Sequence, residues 1–327
     1  MSLLKKYRNR HSSLVLSTLN LSISPLRQPL QACSDVLLSS YKDTVAMGIT
    51  EGALIALVSS TFIDLFSPAE KSLSQIAEKY QWAIDEMKKY EHYFGLSLGL
   101  YYQVIVNISV PTAGTAIVSD VTDPSLLRIQ EFDVGDAEKL QKVPQIERRL
   151  LFCRLLLAYL FRNYGEAAAV AKDMRQLHLS KDFFPSYERI QEAFYLGLVS
   201  FWIVRQGDDD PTGTWLLFGL HVTSKTKEWS DTGSSWNFSQ KYHLLLAEQF
   251  VVELAISSYD KAVADAKEHK FINEAALASE CAGLFYLEQG NLIKVRECFS
   301  SAEESYRAWG ALRKAEHVHA IMESAIP

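Results

Sequence analysis

Apolar residues recur along most of this chain at intervals of three and four, the spacing that brings side chains to one face of an α-helix. The pattern is sharpest over residues 271–311, FINEAALASECAGLFYLEQGNLIKVRECFSSAEESYRAWGA. It predicts two antiparallel helices joined by a tight turn at Gln289-Gly290-Asn291. On the first helix Ala282, Gly283 and Tyr286 share a face; on the second, Val295, Phe299 and Ala302 do. The small pair Ala282-Gly283 lets the helices approach, while Tyr286 and Phe299 fill the space on either side. Glycine inside a helix costs about 1 kcal/mol relative to alanine, so Gly283 points to close packing rather than to helix propensity.

The same +4, +3 spacing recurs at Ala167, Ala171 and Met174 and again at Ala255, Tyr259 and Ala262. Positions 167, 255 and 295 are separated by 88 and 40 residues. Two units of about forty-four residues would span the longer interval, an irregular but commensurate repeat of tetratricopeptide type.

Elsewhere Ser67-Pro68-Ala69-Glu70 offers a serine cap, a proline at the first helical position and a glutamate three residues after the cap. It predicts a helix from there to about residue 90, with Leu73, Ala77, Tyr80, Ile84 and Met87 on one stripe and its charges in solvent. Residues 95–119 carry no charge and are long enough to span a bilayer. Gln103, Asn107, Pro111, Thr112 and Gly114 interrupt the second half, so the stretch reads as a buried helix over 93–108 and then a loop. Between Pro111 and Pro144 only short helices, around Leu126 and Ala137, are expected. Helices are then predicted on either side of Arg162-Asn163, over 188–205, over 216–228 before a loop SDTGSS, and over 236–251 and 252–269. A last helix, 311–324, has Ala315, Val318 and Met322 on one side and Arg313, Lys314 and His317 on the other, as in a solvated capping helix.

The expected fold is therefore all-α, an α-solenoid of antiparallel helix pairs. Degenerate repeats would occupy residues 1–143, and clearer ones, ending in the cap, residues 144–327. The N-terminal side shows no comparable cap, as though the stack were cut from something longer.

Composition narrows the function. A net charge of −6 provides no basic field for nucleic acid. The four cysteines, Cys33, Cys153, Cys281 and Cys298, form no C-x-x-C pair and read as apolar core residues of a cytoplasmic protein. No signal peptide is read in the basic N-terminus.

The segments LRQPLQACSDVLLSSYKDTVAMG, AEKYQWAIDEM, LLAYLFRNYGEAA, WNFSQKYHLLLAEQF and NEAALASECAGLFYLEQGN, with Tyr306-Arg307-Ala308-Trp309-Gly310-Ala311, occur in this order. They resemble the helical-repeat region of large signalling proteins that also carry a kinase-like part, a P-loop ATPase, GAF modules and a histidine kinase. The resemblance is strongest over residues 236–327 and departs at Arg313-Lys314-Ala315 and Met322-Glu323. It implies a repeat region whose protein partners are kinase or ATPase modules.

The motifs of those catalytic modules are absent from this sequence. It contains no G-x-x-x-x-G-K-[ST] loop, G-x-G-x-x-G loop, H-R-D or D-F-G. His317-Val318-His319 places its imidazoles two residues apart on a helix, pointing different ways, so no metal is expected. Asp208-Asp209-Asp210 precedes Pro211 and reads as a loop and cap, the alternative being an Mg²⁺ site of an all-helical enzyme. Cys153 and Cys281 lack a neighbouring base. Glu147-Arg148-Arg149 and Lys88-Lys89 read as solvated patches. Trp215, Trp229, Trp236 and Trp309 read as staples between repeats. The expectation is a non-catalytic scaffold or regulatory module acting by protein–protein contact, without cofactor, nucleic acid or membrane. The alternative is a stand-alone adaptor that binds a protein or peptide in trans.

Overall fold

A computed structural model describes residues 15, 18–110, 144–178, 186–208, 211–249 and 252–326. Among these residues the regular structure is entirely helical. A π-helical turn (Leu19–Ile23) and a 3₁₀ turn (Ser24–Leu26) lead into α1 (Leu30–Ala46), α2 (Thr50–Phe66), α3 (Leu73–Lys89) and α4 (Phe94–Ser109). Then follow α5 (Pro144–Leu160), α6 (Tyr164–His178), α7 (Tyr187–Arg205), α8 (Thr214–Thr232) and α9 (Ser235–Ala247). The last four are α10 (Val252–Glu268), α11 (Ile272–Glu288), α12 (Leu292–Trp309) and α13 (Leu312–Ala325). The short helices expected around Leu126 and Ala137 lie outside the described residues.

Two kinds of helix alternate. Helices α2, α4, α7 and α11 bury residues on every side, whereas α3, α6, α10 and α12 bury a single stripe. A helix that is apolar all round is stable only inside, and an amphipathic one covers it. From α5 onward the chain therefore lays down inner and outer helices in turn. The inner ones run parallel. Arg149 pairs with Glu188, Phe152 meets Tyr195 and Tyr159 meets Trp202, in step along α5 and α7. Along α7 and α9, Phe194 lies by Lys241, Gly197 by Leu245 and Arg205 by Glu248.

Each outer helix from α6 to α12 carries a buried +4, +3 stripe. On α6, α10 and α12 these are Ala167-Ala171-Met174, Ala255-Tyr259-Ala262 and Val295-Phe299-Ala302. On α8 the stripe is Trp215-Gly219-Val222, which fills the long gap between positions 167 and 255. A Cβ at Gly283 would meet Phe299 at 2.9 Å, and one at Gly219 would meet Phe201 at 2.7 Å. The small–large contact thus recurs with the roles of inner and outer helix exchanged.

Several predicted boundaries move. Ser67 starts no helix: it is the C-cap residue of α2, its N–H donating to the Ile63 carbonyl, and Ala69 takes a positive φ of 55°. The helix begins five residues later, where Ser72 and Gln75 form the reciprocal capping box. The supposed loop SDTGSS is mostly helix, because α8 runs on through Thr232 and only Gly233-Ser234 separate it from α9.

Distant segments close on one another. The Leu30 N–H donates to Asn237 Oδ1 (3.1 Å), and Asn237 Nδ2 donates to the carbonyls of Pro25 (2.7 Å) and Gln28 (2.8 Å). Trp236 donates to Gln31 (3.2 Å) and stacks on His269. Phe66 packs against Phe152, with ring centroids 5.8 Å apart, so side chains cross the boundary at residues 143 and 144. Trp309 is buried beside Leu65, Phe66, Val104, Ile108, Leu156 and Leu160. Helix α13 packs on α4 as well as on α12, and of the residues expected on its solvent side Lys314 and His317 are buried and Arg313 partly so. Among the described residues no helix is long and apolar enough to cross a membrane.

Candidate functional site

Of the residues singled out from the sequence, Ala282, Gly283, Tyr286, Val295, Phe299 and Ala302 lie buried between α11 and α12. Ala255, Tyr259 and Ala262 are buried on α10, and Ala167 and Ala171 on α6. The tryptophans meet neighbouring elements: Trp215 lies under the Arg175 guanidinium (4.8 Å) and Trp229 against Phe238 (5.8 Å). Cys33, Cys153 and Cys281 are buried, but Cys298 is only partly so.

The charged residues depart most from expectation. Lys314 is fully buried and His317 nearly so. Lys314 Nζ donates to the Leu160 carbonyl and to Glu280 Oε1 (2.8 Å), and lies 3.1 Å from His317 Nδ1. Arg162 Nε donates to the same Glu280 oxygen (2.9 Å), and the Tyr306 hydroxyl donates to Glu280 Oε2 (3.0 Å). One buried carboxylate therefore serves two cations, joining α5, α11, α12 and α13. Burial alone raises the Glu280 pKa, but Arg162 and Lys314 outweigh it and hold the carboxyl down to about 2. Burial, opposed by Glu280 and reinforced by Arg162, brings Lys314 down to about 8. The His317 imidazole is pushed down to about 3 by burial and then by Lys314. His319 points the other way, to Glu303 (3.0 Å).

Arg148 and Arg149 are likewise not a solvated patch. Arg149 donates to both oxygens of Glu188 (2.6 and 3.1 Å) and to Ser97 (2.9 Å), while Arg148 reaches Glu192 (2.9 Å). Their arginines hold Glu188 near 2 against its burial. A third buried pair, Lys241 with Glu274, ties α9 to α11. None of these pairs was inferred from the sequence. The available signal was a lone charge inside an otherwise apolar run, as at Glu280 in ALASECAGL.

Above the Glu280 network the C-terminal ends of α5, α7, α9 and α11 converge on a cleft of about 230 Å³. Tyr159 and Trp202 form aromatic walls, edge to face at 5.8 Å, and Leu284 and Leu287 an aliphatic one. Arg162 sits in the turn after α5 at φ 58°, a backbone costing about 1–2 kcal/mol for a non-glycine residue. Its guanidinium lies 4.9 Å over the Tyr159 ring and its Nη2 is 3.6 Å from Cys281 Sγ. Arg205 pairs with Glu248 (2.6 Å), whose other oxygen accepts from Tyr259 (2.7 Å). Burial pushes the Cys281 thiol up to about 11, so it is not a thiolate at neutral pH.

Asp208 accepts from the Tyr164 hydroxyl, and Asp209 and Asp210 lie outside the described residues. Among the described residues no three His, Cys, Asp or Glu side chains are grouped to hold a metal ion. Comparison of the chain with protein families, curated proteins and solved structures gave no match.

Proposed function

We propose that this chain is a non-catalytic, tetratricopeptide-like solenoid module that works by protein–protein contact. The observation that carries the reading is the +4, +3 stripe on four successive outer helices, the helix α8 included. Modules built this way stack helix pairs and use the surface left over for partners. Apolar residues stand exposed at the end where the inner helices finish: Leu254 and Ile256 near the start of α10, Leu292 and Ile293 at the start of α12. Ile293, 75% exposed, is the most exposed of the four, and we assign these residues to a partner surface. The resemblance to repeat regions of multi-sensor kinases suggests kinase or ATPase modules as partners; a stand-alone adaptor is the second reading.

The test is calorimetric. The purified chain is titrated with ATPase and histidine-kinase modules cloned from the same genome, and separately with Mg²⁺–ATP. Saturable binding of a module, weakened by Ile293→Asp, supports the proposal. Mg²⁺-dependent nucleotide binding by the chain itself, with no module bound, overturns it.

A further inference from the structure

We propose that the cleft between Tyr159, Trp202 and Leu284 is a binding site for a small carboxylate with a flat apolar body. The claim is independent of any macromolecular partner. Size comes first: about 230 Å³ accommodates a bicyclic ring and a short chain but not a nucleotide or an oligosaccharide. The walls set the body. Tyr159 and Trp202 meet edge to face, leaving a slot between aromatic and leucine surfaces that suits a planar, apolar group.

The charge of the ligand follows from what the cleft presents. Its carboxylate partners lie deepest: Glu280 is wholly buried and the Glu248 side chain is 5% exposed. The Arg162 and Arg205 side chains, 15% and 26% exposed, stand nearer the opening. Glu280 and Glu248 already receive Arg162, Lys314 and Tyr306, and Arg205 and Tyr259, respectively. A guanidinium carries five N–H donors, and Glu280 and Cys281 take one each from Arg162. Past Glu288, which is exposed at the rim, an entering group meets the two guanidiniums before the deeper carboxylates. An acceptor-bearing anion is matched; an ammonium is not. The polar groups are also held in place before any ligand arrives, since Arg162 is fixed from below by Glu280 and against Tyr159, which lowers the entropic cost of binding.

The experiment uses the whole chain and three probes with one ring system: indole-3-propionate, its neutral amide and tryptamine. Calorimetry is run beside ¹³C-methyl spectra of the leucines. Indole-3-propionate is expected to bind 1:1 with a dissociation constant at or below about 1 mM and to shift the Leu284 and Leu287 methyls. Loss of the charge-assisted bonds should weaken the amide at least tenfold. Leu284→Trp, which fills the slot, should abolish binding while the chain keeps its cooperative thermal transition. Should that variant fold poorly, Trp202→Leu is read instead, with at least a fivefold loss expected. Equal binding of acid and amide, tighter binding of tryptamine, no binding of any probe, or shifts confined to other leucines would each overturn the proposal.

Discussion

Replacing Glu280 by glutamine tests whether one carboxylate holds the end of the chain to its middle. The substitution preserves shape and removes the anion shared by Arg162 and Lys314, while Tyr306 can still find a partner. Breaking a buried ion pair from one side costs about 3–5 kcal/mol, because the remaining charge stays desolvated and uncompensated. An independent route gives a similar figure. Glu280 is held near 2 against an ordinary value of 4.5, and a displacement of that size corresponds to about 3 kcal/mol. Unfolding entropy of about 2.1 cal/mol/K per residue, over 327 residues, makes 1 kcal/mol worth about 1.5 °C. Glu280→Gln should therefore lower Tm by about 4–7 °C at pH 7 by differential scanning calorimetry. The pH dependence has a definite sign. A depressed carboxyl contributes stability above its unfolded pKa and loses it as pH falls through the folded one, so the gap between wild type and variant should close between about pH 4.5 and 2. A Tm change under about 1.5 °C at pH 7, or a gap that stays constant down to pH 2, would refute the reasoning.

Lys314 carries the opposite ionic sign: its folded pKa of about 8 lies below the ordinary 10.5, so the unfolded chain binds the proton more tightly. Stability of the wild type relative to Lys314→Met should accordingly rise with pH between about 8 and 10.5, measured by urea unfolding, and a flat difference would count against it. Gly283→Leu forces a side chain into Phe299, already 2.9 Å from where a Cβ would sit, and should cost on the order of 1–3 kcal/mol, with Phe299→Ala in the same chain restoring at least half. Ser72→Ala should lose about 1 kcal/mol with its capping box. Ser67→Ala should be neutral or slightly stabilising, because the buried Ser67 hydroxyl finds no partner among the described residues; equal losses at the two serines would refute the revised helix start.

Much of the helical frame was readable from local pattern. The turn at Gln289-Gly290-Asn291, the break at Arg162-Asn163 and the stripe Leu73–Met87 follow from spacing within a dozen residues, and the structure has them. The stripe on α8 is not legible by analogy, because Trp215, Gly219 and Val222 include no alanine, whereas each of the other three stripes does. Ser67-Pro68 misled for a different reason. Ser67 belongs to the end of α2, and the capping box that starts the next helix forms at Ser72 with Gln75.

Spacing along a chain tells which residues share a helix face, because that relation is local and set by the 3.6-residue turn. It is silent on what the face meets. Arg162 and Glu280 are 118 residues apart, and Lys314 lies 154 residues from the carbonyl it binds. Lys314 and His317 looked solvated because their sequence neighbours are polar, yet α13 lies against helices on more than one side. The cleft has the same origin. Tyr159, Trp202, Glu248 and Leu284 close the ends of four helices, and their meeting depends on how those helices run together in space. Periodicity was enough to establish that the chain is helical; the buried charges and the cleft arise from packing between segments that no local pattern relates.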